Sequence, residues 1–449
     1  MAQRMGASDD KHADEQATLV KFSRASRVYI LGAVLCLALT ICARNFGDRG
    51  GPWFMASLTV ACVVYLLAIR EFFVIPEFPR RVVIIGLILA AVWHVEFLRL
   101  PPGPDDDIHR YVWDGRLQRL GYNPYVIVPS DPASQGLHTP ETHALNNPDL
   151  PSPYPPGAQL FFRAVTAIHE TAFALKVAFV LCDWAIILVL LDILRRRQQG
   201  AHLVLAYAWN PLLAIEVAGS GHVDIVGALL LVISVAALAR SWRALAAVAY
   251  ALAVAVKFLP IVLLPLYWKR VRVRDAALAA AAIALLYVPF LNHGGIPIGS
   301  LRTYVQSFRF NGPVFAALDQ VVSPQVLAAL AVLAGFTIAT WLRRASSNWS
   351  LHTFAWPMAA SLLCAPVVFP WYLVWLLPFL TSASTLLIIV WTVSIIPTYV
   401  QWHLRALGRP WGALPTWVML VEYGCVAIAA TITAVRRMTR SAAPQYSTE

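Results

Sequence analysis

The sequence predicts an all-α, polytopic integral membrane protein. Three observations carry that reading. Hydrophobic residues make up 59% of the 449 and charged residues only 13%, where a soluble domain has about a quarter charged. Apolar runs close to the ~20 residues that cross a bilayer as helix recur along the chain. Lysines and arginines cluster at the ends of alternate runs, as topogenic charges do. The formal charge of +11 therefore belongs beside membrane spans, and nucleic acid is not an expected partner. The six cysteines all lie in or at the edge of apolar runs, without CxxC spacing. That argues against a disulfide framework or a zinc site.

Residues 1–27 are polar and mixed in charge and lack the short apolar core of a cleaved signal peptide. They read as a cytoplasmic tail before a single transmembrane domain, 28–436, with a second tail at 437–449. Spans are expected at 28–43, 53–69 and 82–98. Arg70, Arg80 and Arg81 join the second and third, which places the N-terminus inside and the end of the third span outside.

The loop 99–156 is then non-cytoplasmic. It holds 12 of the 30 prolines and seven acids. Prolines this dense keep a loop extended and pre-ordered, and loops this long inside compact proteins are functional or disordered. Asp105, Asp106 and Asp107 open a short helix in it. At 100° per residue Asp107, Arg110, Asp114 and Gln118 share one stripe, and Trp113, Leu117 and Leu120 an adjacent apolar one. The acids would face a cavity and the indole lipid or protein. The competing reading is N-terminal capping, since acids favour that end of a helix anyway.

Pro156 to Ile168 reads as a re-entrant or interfacial helix. A span at 171–194 ends at Arg195, Arg196 and Arg197. The run 202–218, broken at Asn210-Pro211, returns to a turn at Gly219–Asp224, and 225–239 goes back to Arg240 and Arg243. The run 244–268 is basic at both ends, with Lys257 and Pro260 in its middle. A hairpin broken near Lys257 keeps both basic clusters inside. Span 275–291 leads to a second outer loop, 292–323, and 324–342 ends at Arg343 and Arg344. Runs 352–368, 384–400 and 416–435, with a short return to 382, complete a bundle of about 12 spans. In this layout 22 of the 35 lysines and arginines are cytoplasmic and 12 are outside. Every polar cluster falls on the outer side, as five turns converging on one external cavity.

Asp107 is the candidate general base, with Arg110 and Tyr111 beside it to orient it; Asp106 is its competitor. Adjacent aspartates seldom chelate alone, so no metal is favoured. His222 and Asp224 suit a sugar hydroxyl or phosphate, or cap a helix. Glu216 and Lys257 are costly inside apolar spans, roughly 2.5–3.5 kcal/mol for a lysine or aspartate at a helix centre. Either they pair with each other or Lys257 meets a lipid phosphate. Arg302 and Arg309 suit phosphate recognition, or sit as charges at the membrane surface. Trp371 and Tyr372 belong to an aromatic belt or stack on a sugar ring. There is no Walker loop, GxGxxG or HExxH motif. A donor used outside the cell is carried in the membrane, which points to a lipid-linked substrate.

Ordered motifs over residues ~100–380 are Asp106-Asp-Ile-His-Arg-Tyr-Val-Trp-Asp-Gly115 with Gly121-Tyr-Asn-Pro-Tyr125, Tyr154-Pro-Pro156, and Trp209-Asn-Pro211. They continue through Glu216 to Gly221-His-Val-Asp224, Lys257-Phe-Leu-Pro260, Phe308-Arg-Phe-Asn311 and Pro370-Trp-Tyr372. In these the sequence resembles the GT-C polyprenyl-phosphate-mannose-dependent mannosyltransferases of bacteria, namely glycosyltransferase family 87 and the related α-1,6-mannosyltransferases of lipoglycan assembly. The resemblance implies a GT-C-like bundle in the plasma membrane that moves a sugar, mannose by family, with inversion, from a polyprenyl monophosphate to a lipid-linked glycan. It puts the base at Asp107 by motif position, places Tyr154 in the site, and has basic residues hold the phosphate without a cofactor. The adjacent acids leave Asp106 and Asp107 unseparated. The rival from another class is a lipid or small-solute transporter using Glu216 and Lys257 as midplane charges.

Overall fold

A computed structural model describes residues 24–103, 106–291, 297–345, 350–409, 411–412 and 414–442. Residues 1–23 of the expected tail, Asp105, 292–296 of the second loop and the chain from 443 onward lie outside them. The described residues form helices with no strand, so the chain is an all-α, multi-pass membrane protein.

Among the described residues, eight helices are long and apolar enough to cross a bilayer. They are α1 (Arg24–Arg44), α2 (Pro52–Val74), α3 (Arg80–Leu98), α6 (Ala172–Arg196), α11 (Val273–Phe290), α13 (Pro324–Ala345), α16 (Ala383–Ala406) and α17 (Thr416–Val435). The first is already helical at Arg24, the first described residue, four residues before the expected start. Between them, α4 (Asp107–Arg119) and α5 (Pro156–Ile168) lie side by side, packed through Gly115. A Cβ there would stand 2.5 Å from Thr166 Oγ1. The expected break at Asn210-Pro211 separates α7 (Ala201–Ala208) from α8 (Leu213–Gly219), which meet at 67°. Counting that pair as one span gives nine by length and composition, not twelve. The difference lies in α9 (Asp224–Ala239), α10 (Arg243–Val256) and α15 (Pro370–Phe379), which are shorter apolar helices. Most of α9 is buried in protein, and a helix so enclosed need not match the thickness of lipid.

The chain turns back at Lys257, which takes an extended conformation (φ −159°, ψ 143°) at the end of α10. Tyr250 stacks on Tyr267, ring centroids 4.3 Å apart, and its hydroxyl donates to the Pro260 carbonyl at 3.1 Å. A straight helix would hold those rings about 25 Å apart. Both arms are short, and Lys257 sits at the tip.

Several charged and polar groups inside the bundle are paired with one another, as a medium without water favours. His94 Nε2 lies 2.8 Å from Asp183 Oδ2, and Tyr207 donates to the same carboxylate. Lys176 Nζ donates to the Leu100 carbonyl at 2.6 Å, beyond the end of α3. Glu422 in α17 accepts from Trp391 Nε1 and Asn311 Nδ2, both at 2.7 Å. The last of these bonds ties the second loop to the bundle. The same loop joins the 366–368 turn, where Phe310 N donates to Pro366 O and Val368 N to Phe310 O, at 3.0 and 2.8 Å.

Candidate active site

The five turns expected to converge do so around one cavity of about 280 Å³. It takes Asp106 and Asp107 from the start of α4, and Asn146 and Tyr154 from the long loop. His222 comes from the turn after α8, and Tyr304 and Phe308 from the second loop. Phe369, Trp371 and Tyr372 come from the turn entering α15. Lys257 stands at the tip of the hairpin, and Trp402, Arg405 and Trp411 close the rim.

The two adjacent aspartates have different surroundings. Asp106 precedes the first helical residue, but its side chain does not cap α4. Its Oδ1 accepts from Arg49 Nη2 at 2.8 Å and its Oδ2 from the Gly103 amide at 2.6 Å. Arg49 also donates to Ser220 at 2.7 Å, which ties the loop before α2, the start of α4 and the turn after α8 into one buried cluster. Asp107 accepts from Asn146 Nδ2 at 2.6 Å through Oδ1. Its Oδ2 faces His222 Nδ1 at 3.7 Å, and the side chain keeps 17% of its surface open.

The orienting residues differ from those the spacing suggested. Arg110 donates to the carbonyls of Asn146, Asn147 and Leu150 at 2.7–3.0 Å, so it holds the loop that delivers Asn146. Tyr111 is fully buried and stacks on Phe162 at 4.4 Å. Asp114 does not face the cavity. It is fully buried, accepting from Ser152 and Gln159, and burial pushes its pKa up to about 6 against the opposing charge of Arg110. Tyr154 does border the cavity. Burial and the Asp107 charge hold its hydroxyl well above the ordinary tyrosine value.

Glu216 and Lys257 do not pair, which corrects one expectation. Glu216 lies on a π-helical turn, a form of helix frequent at functional sites. Its Oε2 is 3.1 Å from His222 Nε2 and its Oε1 accepts from Tyr399. Lys257 Nζ instead donates to Asp224 Oδ1 and Oδ2 at 2.8 and 3.0 Å. Trp375 Nε1 donates to the same carboxylate at 2.7 Å, and the ammonium lies over the Tyr372 ring, 4.0 Å from its centroid. The turn between α8 and α9 needs Gly221, whose φ is +77° and whose added Cβ would meet Ile108 Cδ1 at 2.5 Å.

The arginines expected at the phosphate are elsewhere. Arg309 pairs with Asp319 at 2.9 Å, and Arg302 is exposed and off the cavity wall. Both choices rested on guanidinium chemistry and position in the loop, neither of which reveals a neighbouring acid. Sequence reasoning missed Asn146, Arg49, Tyr304 and Arg405. Only the cluster of Trp402, His403 and Trp411 in one short stretch signalled that the segment holding Arg405 mattered.

Fold and cavity together define a multi-pass helical membrane protein with a carboxylate and an ammonium facing one aromatic-walled pocket. The family model described as alpha-(1->6)-mannopyranosyltransferase, N-terminal domain, matches residues 47–271, half of the chain, and the chain belongs to that glycosyltransferase family. No curated protein matches the sequence. A crystal structure of ArnT from Cupriavidus metallidurans bound to undecaprenyl phosphate is similar at a TM-score of 0.44 and 17% identity, over 79% of this chain and 63% of that one. The chain thus spans less than two thirds of that structure.

Proposed function

We propose that this protein transfers mannose from a polyprenyl monophosphate to a hydroxyl of a lipid-linked glycan, with inversion, using Asp107 as general base. The observation that carries the reading is the shared cavity of Asp107 and Lys257. A base needs an open carboxylate oxygen within reach of the acceptor hydroxyl. Asp107 has one, while both oxygens of Asp106 are engaged. A leaving phosphate gains negative charge as its bond to the sugar breaks, and fixed cations stabilise that charge most where water is excluded. Lys257 and Arg405 border the same cavity and serve that role without a metal.

In this reading the acceptor oxygen attacks the anomeric carbon from the side opposite the phosphate, and Asp107 takes its proton. One displacement inverts the centre, so an α-linked product, as in the family's name, requires a β-linked donor. His222, Trp371, Tyr372 and Tyr154 bound the sugar, with Glu216 and Asp224 behind them. Placement in the plasma membrane with the cavity on the non-cytoplasmic side is supported by the bias of basic residues, 22 of 35 on the opposite side.

The test is sugar transfer by the purified chain from radiolabelled polyprenyl-phosphate mannose, glucose and arabinose to a membrane glycolipid extract, with anomeric analysis of the product. Transfer of mannose with inversion supports the reading. Transfer of another sugar alone corrects the donor, and transfer of none of the three overturns it.

A further inference from the structure

His222 is held by Glu216 at one ring nitrogen and by Trp371 on its face, and its other nitrogen faces Asp107. Its Nε2 lies 3.1 Å from Glu216 Oε2. Its ring stacks on Trp371, with centroids 4.0 Å apart and planes at 8°. Its Nδ1 is buried and makes no hydrogen bond, and it lies 3.7 Å from Asp107 Oδ2. In a neutral imidazole, the bond made by one nitrogen decides which nitrogen carries the proton. The Glu216 carboxylate holds N–H at Nε2, so a lone pair at Nδ1 faces the candidate base.

We propose that His222, oriented by Glu216 and Trp371, is the positioning residue that relieves Asp107 of the proton it takes from the acceptor. The inference rests on the transferase reading above. The acceptor oxygen bonds to the anomeric carbon as the bond from that carbon to the phosphate oxygen breaks, and the electron pair leaves on the phosphate. The acceptor proton passes to Asp107 Oδ2 and on to His222 Nδ1. The imidazolium so formed stands between two carboxylates and loses its proton to water through the cavity. Transfer between the two groups requires the 3.7 Å separation to shorten to hydrogen-bond length in the complex with substrate, as catalytic contacts do.

The charged groups facing this imidazole are Glu216 from α8, Asp107 from α4 and Asp224 from α9. Lys257 is paired to Asp224, Tyr399 donates to Glu216, and the charge of Arg49 acts on Glu216. Burial pushes the imidazole down. The bond and charge of Glu216, then the charges of Asp107 and Asp224, outweigh it and hold His222 above the ordinary histidine value. High proton affinity suits a group that must take a proton from a carboxylic acid. It also means that activity rises with pH as His222 becomes neutral.

The test uses the full chain in detergent, labelled with ¹⁵N-histidine. The His222 signal is assigned among the eleven histidines by its loss in His222→Gln. Its titration is followed in wild type, Asp107→Asn and Glu216→Gln, and the pH dependence of kcat is measured for wild type, Glu216→Gln and His222→Gln. The expected result is a lower His222 titration midpoint in both carboxylate variants, by about one pH unit. The acid limb of kcat moves to lower pH in Glu216→Gln. His222→Gln loses that limb and about 100-fold in kcat. An active wild type whose His222 titration ignores Asp107→Asn overturns the relay alone. So does a His222→Gln variant that keeps the wild-type acid limb. A wild type that transfers no sugar overturns the reading on which the relay rests.

Discussion

Lys257 Nζ and Asp224 Oδ1 lie 2.8 Å apart at the wall of the cavity, the carboxylate fully buried and the lysine side chain 22% exposed. The ammonium thus has two tasks, to neutralise a buried charge and to meet the donor phosphate, and substitutions separate them. Lys257→Ala leaves the buried carboxylate with only the Trp375 indole. Removing one partner of such a pair costs about 3–5 kcal/mol, so the melting temperature in detergent falls. The double variant Lys257→Met with Asp224→Leu removes both charges and recovers most of that loss. Affinity for polyprenyl-phosphate mannose, measured by equilibrium binding, stays weak in both.

Asp114 should give the protein a stability that falls as pH rises through the acid range. Its folded pKa of about 6 lies above the ordinary 3.8 because burial disfavours the carboxylate. Between those values the folded state binds more protons than the unfolded one, so unfolding free energy declines with pH. The gap corresponds to about 3 kcal/mol, present below pH ~4 and lost above pH ~6. Asp114→Asn keeps a polar group against Ser152 and Gln159. Its melting temperature should lack this downward slope between pH 4 and pH 6.

Gly227 is the space that Trp375 occupies. A Cβ at this position would lie 1.9 Å from Trp375 Cη2, and the fully buried indole has no flexible end to yield. Gly227→Ala should cost about 1–3 kcal/mol in thermal unfolding, the usual range for overpacking. By displacing the indole from Asp224 it should also weaken donor binding, although it lies outside the cavity lining.

Hydropathy and charge bias were enough to read the all-helical membrane class, the break at Asn210-Pro211 and the convergence of five turns. Those signals are local or additive. The partners of the charged residues were not legible, because they come from distant parts of the chain. Asp106 and Asp107 look alike as neighbours, and Arg49, 57 residues upstream, makes the difference between them. Hydropathy marked Lys257 and Glu216 as costly without saying what neutralises each. Asp183 and Glu422 escaped notice because a single acid disappears in the average of an apolar window. Arg309 suits a phosphate or the membrane surface equally by sequence, and Asp319, ten residues on, already holds it.

The central claim is that Asp107, and not its neighbour, takes the acceptor proton. The most direct measurement compares kcat, donor affinity and melting temperature for Asp107→Asn and Asp106→Asn, with polyprenyl-phosphate mannose as donor. Asp107→Asn should lower kcat by about 10²–10⁴-fold with donor affinity and melting temperature held. Asp106→Asn should lower the melting temperature, because the buried Arg49 guanidinium loses its carboxylate, and should leave more activity than Asp107→Asn. A folded Asp107→Asn protein that transfers mannose at the wild-type rate would contradict the account.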